Sequence, residues 1–237
     1  DFKDNTLNFH DINAKVDYVL GSRDRVSLTF FTGYDNIRLE DMMGMKWTNL
    51  ASTLRWTHRT GTHSHSQTSL YYSGYNTENG IDLLGMEQSF TGHIRQVGLR
   101  QNFHIQTGSH IVETGLQTTL LDVKSAEWQI VNNHQKEKRR SWDNNIWINA
   151  NLNFGQWLKL AAGLRLDSYS SLGGTMYYGI DEEGEIIRLY KKKSNEIVKT
   201  WVNLEPRLSA TLLLSPSVSI KAGYTRTTQN IHALRNQ

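Results

Sequence analysis

Two long runs of alternating apolar and polar residues near the end of the chain constrain its fold most strongly. They lie between Thr200 and Thr227 and meet at the turn Ser215-Pro216-Ser217. The apolar parity comprises Val202, Leu204, Pro206, Leu208, Ala210, Leu212 and Leu214, followed by Val218, Ile220, Ala222 and Tyr224. Successive side chains of a β-strand point to opposite faces, so each run predicts a strand with one apolar and one polar face.

The length of these runs favours a membrane over a soluble core. Each lasts about ten residues or more, roughly twice the average strand of a soluble protein. A tilted strand needs about 9–11 residues to cross a bilayer. We therefore expect hydrocarbon on the apolar side of this hairpin and water on its polar side.

The same alternation recurs throughout the chain and is cleanest between residues 146 and 167. Aliphatic residues occupy one parity there, while the other carries Lys159, Arg165 and Asp167. Such charges are too costly to bury unpaired in a dry core. Alternation along the whole chain predicts ten antiparallel strands, near residues 7–20, 26–34, 46–58, 66–75, 88–104, 110–123, 146–154, 158–167, 202–214 and 218–225.

The lengths of the links between these strands predict a sheet with short turns at one end and long loops at the other. Short turns at 21–24, 61–64, 106–109, 155–156 and 215–217 alternate with longer links at 37–45, 76–86, 128–144 and 168–199. Outer-membrane barrels show this rhythm, with short periplasmic turns and long extracellular loops. The longest link has the composition of a further hairpin. Tryptophan and tyrosine near strand ends suggest aromatic girdles at the membrane interfaces: Trp47, Trp56, Tyr75, Trp142, Trp157, Tyr169 and Trp201.

The rhythm also predicts a piece of a larger barrel. Strand one begins and strand ten ends on the side of the long links, whereas a complete bacterial barrel has both termini on the periplasmic side. A small, complete ten-stranded pore is therefore disfavoured. The chain starts at Asp1 without a signal peptide, which we interpret as a processed chain or a fragment.

The composition is compatible with a β-barrel in a membrane, and it excludes membrane helices and sites that depend on cysteine. The mean hydropathy of −0.55 is that of many soluble proteins, but alternating strands average out in such a value. No apolar segment approaches the roughly 18–20 residues of a membrane helix. The chain has no cysteine, which excludes disulfides and thiolate metal sites.

We find no motif for catalysis, for a cofactor, for a metal or for nucleic acid. His63 and His65 have a spacing that could share a metal, but they lack an accompanying carboxylate or thiolate. The basic run Lys136–Arg140 has no interleaved aromatic residues, so it does not indicate nucleic-acid binding. On an extracellular loop, that run could meet lipopolysaccharide phosphates or an anionic ligand.

Several segments together resemble the barrel of TonB-dependent outer-membrane receptors. The most specific are LEPRLSA at 204–210, SPSVSIKAGY at 215–224 and RTTQNIH at 226–232. WLKLAAGLRLDSY at 157–169 and ETGLQ at 113–117 are also similar to that family. The resemblance is closest to receptors that carry a carboxypeptidase-regulatory-like domain before the plug.

The resemblance implies a barrel of about 22 strands around an N-terminal plug. Such a receptor imports an iron chelate, a vitamin or a glycan across the bacterial outer membrane, with energy passed on by TonB. Residues 1–237 would then be part of one barrel domain, an antiparallel up-and-down segment of about ten strands. The signal peptide, TonB box and plug are not in this sequence. The expected partners are outer-membrane lipid, lipopolysaccharide, a small-molecule or glycan ligand, the plug and TonB.

Two groups of residues are candidates for binding. The loop residues suited to contacting a ligand are the aromatic residues Trp142, Tyr177 and Tyr178, together with Met176. The charged residues expected to face the lumen and the plug are Lys159, Arg165, Asp167, Glu205, Arg207 and Lys221. An ordinary cross-strand charge network, wet by lumen water, explains the second group equally well. Pro206 lacks a backbone donor and predicts a bulge or a broken rung.

A different class of protein also fits the alternation. A secreted, soluble all-β module that binds a ligand or a carbohydrate would bury the same apolar parity in a sandwich. Alternation alone does not show which face points inward. The strand length favours the membrane protein.

Overall fold

The computed structural model describes residues 5–39, 43–83, 86–124, 138–174, 176–180 and 185–230. These residues form β1 (Thr6–Leu20), β2 (Asp24–Leu39), β3 (Met43–Arg59), β4 (Ser64–Leu83), β5 (Met86–Thr107), β6 (His110–Lys124), β7 (Lys138–Phe154), β8 (Leu158–Leu172), β9 (Met176–Ile180), β10 (Ile186–Lys191), β11 (Ile197–Ser215) and β12 (Val218–Thr225). In this part of the chain no helix is long and apolar enough to cross a membrane.

The architecture is a single antiparallel meander. Ten strands form one sheet in the order β1-β2-β3-β4-β5-β6-β7-β8-β11-β12, so each strand pairs with its neighbours along the chain. The strands β9 and β10 pair only with each other and form a separate hairpin within the link between β8 and β11. The prediction of ten sheet strands and the prediction of a further hairpin are both confirmed.

The strands are longer than the alternation predicts, and two of the predicted long links are wrong. The strands β4 and β5 contain 20 and 22 residues and extend through most of the predicted link at 76–86. Likewise, β2 reaches Leu39 and β3 begins at Met43 within the predicted link at 37–45. Strand pairing through the backbone needs no alternation where both faces of a strand meet water, so the sequence pattern ends before the strands do.

The register gives the sheet one apolar face and one polar face. Leu54 of β3 pairs with Leu28 and Leu70, and Leu166 of β8 pairs with Ile146 and Leu204. Pairs of this kind place the apolar parity of neighbouring strands on the same side throughout the sheet. We call the two sides the apolar face and the polar face.

The apolar face has no partner layer within the described residues. Leu172, at 5% relative exposure, is the only buried apolar side chain in them, while Ile146 and Leu204 are 55% and 47% exposed. A soluble sandwich would pack these side chains against a second sheet. The soluble alternative therefore lacks the core that it requires.

The aromatic residues near strand ends do not all form girdles. Trp56 and Trp142 lie on the apolar face, where an interface aromatic belongs. The register places four others on the polar face, and for these the girdle interpretation is wrong: Trp47, Tyr75, Tyr169 and Trp201. Successive side chains point to opposite faces along the whole length of a strand, so these four side chains share the side of the polar parity.

Candidate binding surface on the polar face

A charged network on β7, β8 and β11 is the densest group of polar contacts on the polar face. Arg165 lies opposite Glu205 in the register, and Asn145 lies opposite Asp167. The Nε and Nη2 atoms of Arg165 donate to Asn145 Oδ1 at 2.9 and 2.6 Å. These two bonds point the guanidinium along the sheet, towards the two carboxylates.

The carboxylates of Asp167 and Glu205 are nearly inaccessible, at 4% and 5% relative exposure. Arg165 lies 3.8 Å from Asp167 Oδ1 and 3.9 Å from Glu205 Oε2, and Arg207 lies 3.7 Å from that same Glu205 oxygen. Buried charges of this kind are stable when both ion pairs and hydrogen bonds satisfy them.

The segment after β12 supplies the remaining hydrogen bonds. Thr228 donates to Glu205 Oε1 from its backbone N at 2.8 Å and from its hydroxyl at 2.6 Å. Asn230 donates to Asp167 Oδ2 at 2.6 Å and accepts from Asn203 Nδ2 at 3.1 Å. Residues 226–230, which we call the crossing segment, therefore lie over the polar face of β11 and β8.

Pro206 marks the point where this segment leaves the sheet. Its carbonyl accepts from Arg226 N at 3.1 Å, so its missing N–H also points towards the crossing segment. The pairing of β11 with β12 ends at Arg207, while the pairing of Pro206 with Leu164 continues in register. The predicted bulge is absent from the β8 side, and the broken rung lies on the other edge.

The structure brings together four of the six charged residues expected on this face: Arg165, Asp167, Glu205 and Arg207. The other two, Lys159 and Lys221, share the polar face but lie opposite Thr211 near the short turns. Within the described chain neither makes an ion pair. Lys221 is four residues from Thr225, the partner of Arg207, which corresponds to roughly 14 Å along the strand.

A second polar region lies beside the network and was not predicted. A cavity of about 390 Å³ is lined by residues of β3 to β7, including Arg55, Ser69, Tyr71, Arg100 and Asp143. A smaller one of about 140 Å³ connects Arg100 to Arg165 and Glu205. Both lie on the polar face, so parity could have indicated Arg55 and Arg100, but only the register shows that they share a cavity.

Two features of the larger cavity suit it to a charged partner. The guanidinium of Arg100 lies 5.0 Å from the ring centre of Trp147, which restrains it without neutralising its charge. Asn145 donates to Asp143 Oδ2 at 3.1 Å, whereas Asp143 Oδ1 is buried and has no hydrogen-bond partner in the described residues. A buried carboxylate oxygen in this state can accept a hydrogen bond from a partner outside the described residues.

Glycine permits the close packing that holds Trp147 in place. A Cβ atom at Gly115 would lie 2.4 Å from the carbonyl oxygen of Gln101 and 2.5 Å from the Trp147 ring. The indole therefore packs directly on the backbone of β6, beneath Arg100.

The aromatic residues expected to bind a ligand are not all in loops. Trp142 lies within β7 on the apolar face, opposite Leu120, and its indole N–H donates to Thr118 Oγ1 at 2.7 Å. The expectation that Trp142 is a loop residue is wrong because β7 begins at Lys138. Tyr177 lies in the β9–β10 hairpin, and its hydroxyl donates to the carbonyl of Leu172. The side chains of Met176 and Tyr178 lie outside the described part of the structure.

The histidines near the short turns have other partners. His58 Nδ1 lies 2.7 Å from Asp24 Oδ1, and His65 stacks on His104 with ring centres 4.8 Å apart. Among the described residues no group of three or more His, Cys, Asp or Glu side chains is arranged to hold a metal ion.

Structural comparison finds similar folds in transporters and import receptors. The copper transporter OprC superposes with a TM-score of 0.71 at 12% identity, over 96% of this chain and 39% of that one. A double mutant of the Serratia marcescens hemophore receptor HasR gives 0.67 at 16% identity, over 92% and 36%. The closed form of the ferric-catecholate import receptor Fiu from E. coli K12 gives 0.67 at 12% identity, over 94% and 44%.

These identities support a shared fold, and the chain spans less than half the length of each of the three proteins. The search of curated proteins gives no match. The family described as TonB dependent receptor-like, beta-barrel matches residues 1–236. The chain therefore belongs to the TonB-dependent receptor β-barrel family.

Proposed function

We propose that this chain is part of the barrel wall of a receptor that carries a scarce nutrient across the bacterial outer membrane, energised by TonB. The observation that carries this proposal is the two-faced ten-stranded sheet, whose apolar face has no partner layer. In a transmembrane barrel such a face meets lipid and the polar face lines a water-filled interior. Family membership and the transporter neighbours support the same function.

The whole receptor would contain more than this chain. We propose a barrel of about 22 strands that encloses a plug, with a carboxypeptidase-regulatory-like domain before the plug. The ten sheet strands would form slightly under half of the wall. The polar face would then line the lumen, and the ends with short turns would face the periplasm.

The plug is the proposed partner of the polar face. The carboxylates of Asp167 and Glu205 already have donors from the crossing segment, so they have little capacity left for another partner. The cavity between Arg55 and Arg100 differs because it offers two guanidinium groups and the unpaired Asp143 Oδ1. We assign the main plug contact to this cavity, through charge-assisted hydrogen bonds. Lys159, Arg165, Arg207 and Lys221 complete the charged lining.

The ligand would be bound at the end with long links. The β9–β10 hairpin carries Met176, Tyr177 and Tyr178 in the longest of these links, where stacking on a chelate or a sugar is chemically suited to aromatic rings. We do not extend this role to Trp142, because it lies on the apolar face. The nutrient class is an iron chelate, a vitamin or a glycan. Copper, heme with its hemophore, and ferric catecholate belong to the descriptions of the three similar proteins, and we assign none of them to this chain.

Uptake by the intact receptor tests this function. Cells that express it as their only receptor for each test nutrient would be offered labelled ferric chelates, a corrinoid and oligosaccharides, with and without a functional TonB. We expect accumulation of one class, which is lost without TonB. Tyr177→Ala should reduce that uptake, whereas Arg188→Ala in the same hairpin is the matched control. Accumulation that does not depend on TonB would contradict the proposal.

A further inference from the structure

A cavity of about 570 Å³ lies on the polar face at the end of the sheet with short turns, and we call it the rim pocket. Arg25, Arg59, His65 and His104 line it from four neighbouring strands, β2 to β5, and all four are of polar parity. Arg23 contributes from the first short turn. The three arginines are exposed, so a ligand can reach them.

Backbone hydrogen bonds fix the frame of the rim pocket. The amide of Arg59 donates to the carbonyl of Arg23 at 2.8 Å, which ties the end of β3 to the first short turn. The amide of Gln106 donates to the carbonyl of His63 at 2.9 Å, which ties β5 to the second short turn. The lining residues are therefore held by joined backbone at the end of the sheet.

A row of titratable residues crosses the sheet at this level. Arg59 of β3 lies opposite His65 of β4. His104 of β5 lies between His65 and Glu113 in the register. The rings of His65 and His104 stack with their centres 4.8 Å apart, and His104 Nδ1 lies 3.1 Å from Glu113 Oε1. The one carboxylate of this row is thus bound to an imidazole at one end, while Arg59 occupies the other.

The carboxylate of Asp24, which follows Arg23, is taken up on the opposite side of the sheet. Its Oδ1 atom accepts from Trp56 Nε1 at 2.8 Å and lies 2.7 Å from His58 Nδ1. Trp56 and His58 are of apolar parity. Asp24 therefore directs its charge away from the rim pocket.

The second nearby carboxylate, that of Asp17, is also occupied. It lies 3.0 Å from Lys15 Nζ and 3.3 Å from Arg25 Nη2. In the part of the chain that the structure describes, neither Arg23 nor Arg59 makes a salt bridge. The rim pocket therefore has an excess of positive charge, carried by two arginines without a carboxylate partner there.

We propose that the rim pocket binds an organic anion through its carboxylate groups, which Arg23 and Arg59 would hold. The planar guanidinium fork matches a carboxylate in a bidentate arrangement, and the stacked histidines add ring N–H donors. The volume suits an organic ligand of several carboxylates better than a single inorganic ion. An uncharged sugar would leave both guanidinium groups without a counter-charge. That the pocket opens at the periplasmic mouth of the barrel rests on the proposed function.

Calorimetric titration of the intact receptor in detergent at low salt tests this inference. Carboxylates at this mouth have two sources, a free organic acid or acidic side chains of a polypeptide. Tricarballylate represents the first source, and a tetraglutamate peptide with blocked ends represents the second. The trimethyl ester of tricarballylate keeps the carbon skeleton without the charges. We expect at least one of the two carboxylate probes to bind and the ester not to bind, and the tighter probe identifies the source.

Two variants change the charge of the pocket in opposite directions. Arg23→Gln with Arg59→Gln should weaken binding of the carboxylate probe roughly ten- to a hundredfold, since hydrogen bonds to charged groups are lost. Asp17→Asn should strengthen binding severalfold, because it releases Arg25 from its ion pair. A folding defect does not produce such a gain. The matched control is Arg38→Gln with Lys46→Gln, which removes two cations from the apolar parity at the other end of the sheet and should leave binding unchanged.

Heat-modified mobility on gels verifies barrel assembly in each sample. The inference would be overturned if neither carboxylate probe bound, if the ester or inorganic phosphate bound as tightly, or if Arg23→Gln with Arg59→Gln left binding unchanged. TonB-dependent nutrient uptake is measured on the same receptor. Normal uptake together with any of these results would retain the proposed function and remove only the carboxylate site.

Discussion

Thr228 and Glu205 are joined by two hydrogen bonds, from the backbone N at 2.8 Å and from the hydroxyl at 2.6 Å to the same carboxylate oxygen. Had β12 continued in register, Thr228 would lie opposite Leu204 in the ladder. A side-chain carboxylate therefore takes the place of a backbone acceptor. Because Glu205 is also paired with Arg165 and Arg207, the crossing segment depends on the charge network beneath it.

Glu205→Ala should release the crossing segment. Without the carboxylate, the Thr228 amide loses its acceptor, and a hydrogen bond to a charged group is typically worth about 1.5–3 kcal/mol. We expect hydrogen exchange at Thr228 to accelerate roughly ten- to a hundredfold, as measured by mass spectrometry on the intact receptor. Glu113→Ala is the control, since Glu113 is on the same face and binds His104 instead. Unchanged exchange at Thr228 would contradict the assigned role.

Ile148→Arg should destabilise the protein, whereas Asn149→Arg, at the neighbouring residue, should not. Ile148 is on the apolar face and Asn149 is on the polar face. An arginine near the middle of a lipid-facing band costs about 2–4 kcal/mol, whereas one in a wet lumen costs little. We expect Ile148→Arg to lower the urea midpoint for unfolding from lipid vesicles and Asn149→Arg to leave it nearly unchanged. If both substitutions lowered the urea midpoint equally, the idea that lipid contacts only one face of the sheet would be contradicted.

Gly115→Ala should disturb Trp147 and, through it, Arg100. The added methyl group would overlap the Gln101 carbonyl and the indole ring, and overpacking of this kind typically costs about 1–3 kcal/mol. We expect a lower unfolding midpoint and a changed tryptophan fluorescence spectrum. Gly80→Ala is the control, because its nearest neighbour would be 4.0 Å away. A fluorescence change of the same size in both variants would contradict the close packing of the Trp147 ring on Gly115 as its cause.

The double variant Arg55→Glu, Arg100→Glu should weaken the proposed contact between the plug and the polar face. Reversing both charges places carboxylates beside Asp143 in the cavity between them, so an acidic group of the plug that pairs with the two arginines would be repelled. We expect cells to become sensitive to an antibiotic too large for ordinary porins, scored as a drop in the inhibitory concentration. Lys46→Glu, on the opposite face, should not have this effect. Resistance equal to that of the unmodified receptor would place the plug contact elsewhere.

The loop before β11 should open as the pH falls. A hydrogen bond from the Lys192 ammonium, followed by one from the Lys193 backbone, lowers the pKa of Glu196. A carboxyl group whose pKa is lowered on folding stabilises the folded loop above its ordinary pKa, and this stabilisation is lost as the pH drops through the lowered value. We expect faster intrinsic-rate-corrected hydrogen exchange at Glu196 in acid, and no such dependence in Glu196→Gln. A pH profile that is identical in the two proteins would contradict this.

Much of the sheet could be predicted because lipid imposes a strict pattern. The strands β7 and β8 follow it residue by residue, from Ile146 to Asp167. The ends of β4 and β5 could not be predicted, since Glu78 and Gly80 lie where both faces are wet and no alternation is required. Parity alone placed Arg165 and Glu205 on one face. Their pairing depends on register, and the contacts of Thr228 and Asn230 depend on a change in chain direction that no local pattern indicates.

That change of direction has a simple origin in Pro206. Its ring leaves one half of a backbone pair unmade opposite Arg226, at the first place where β12 could have continued up the edge of β11. Without this backbone hydrogen bond, further pairing with β11 is less favourable, and the chain after β12 can bend over the polar face. Proline at this position therefore decides where the pairing of β12 with β11 ends. A substitution that restores the N–H, such as Pro206→Ala, would let β12 extend along β11, and residues 226–230 would no longer cross the polar face.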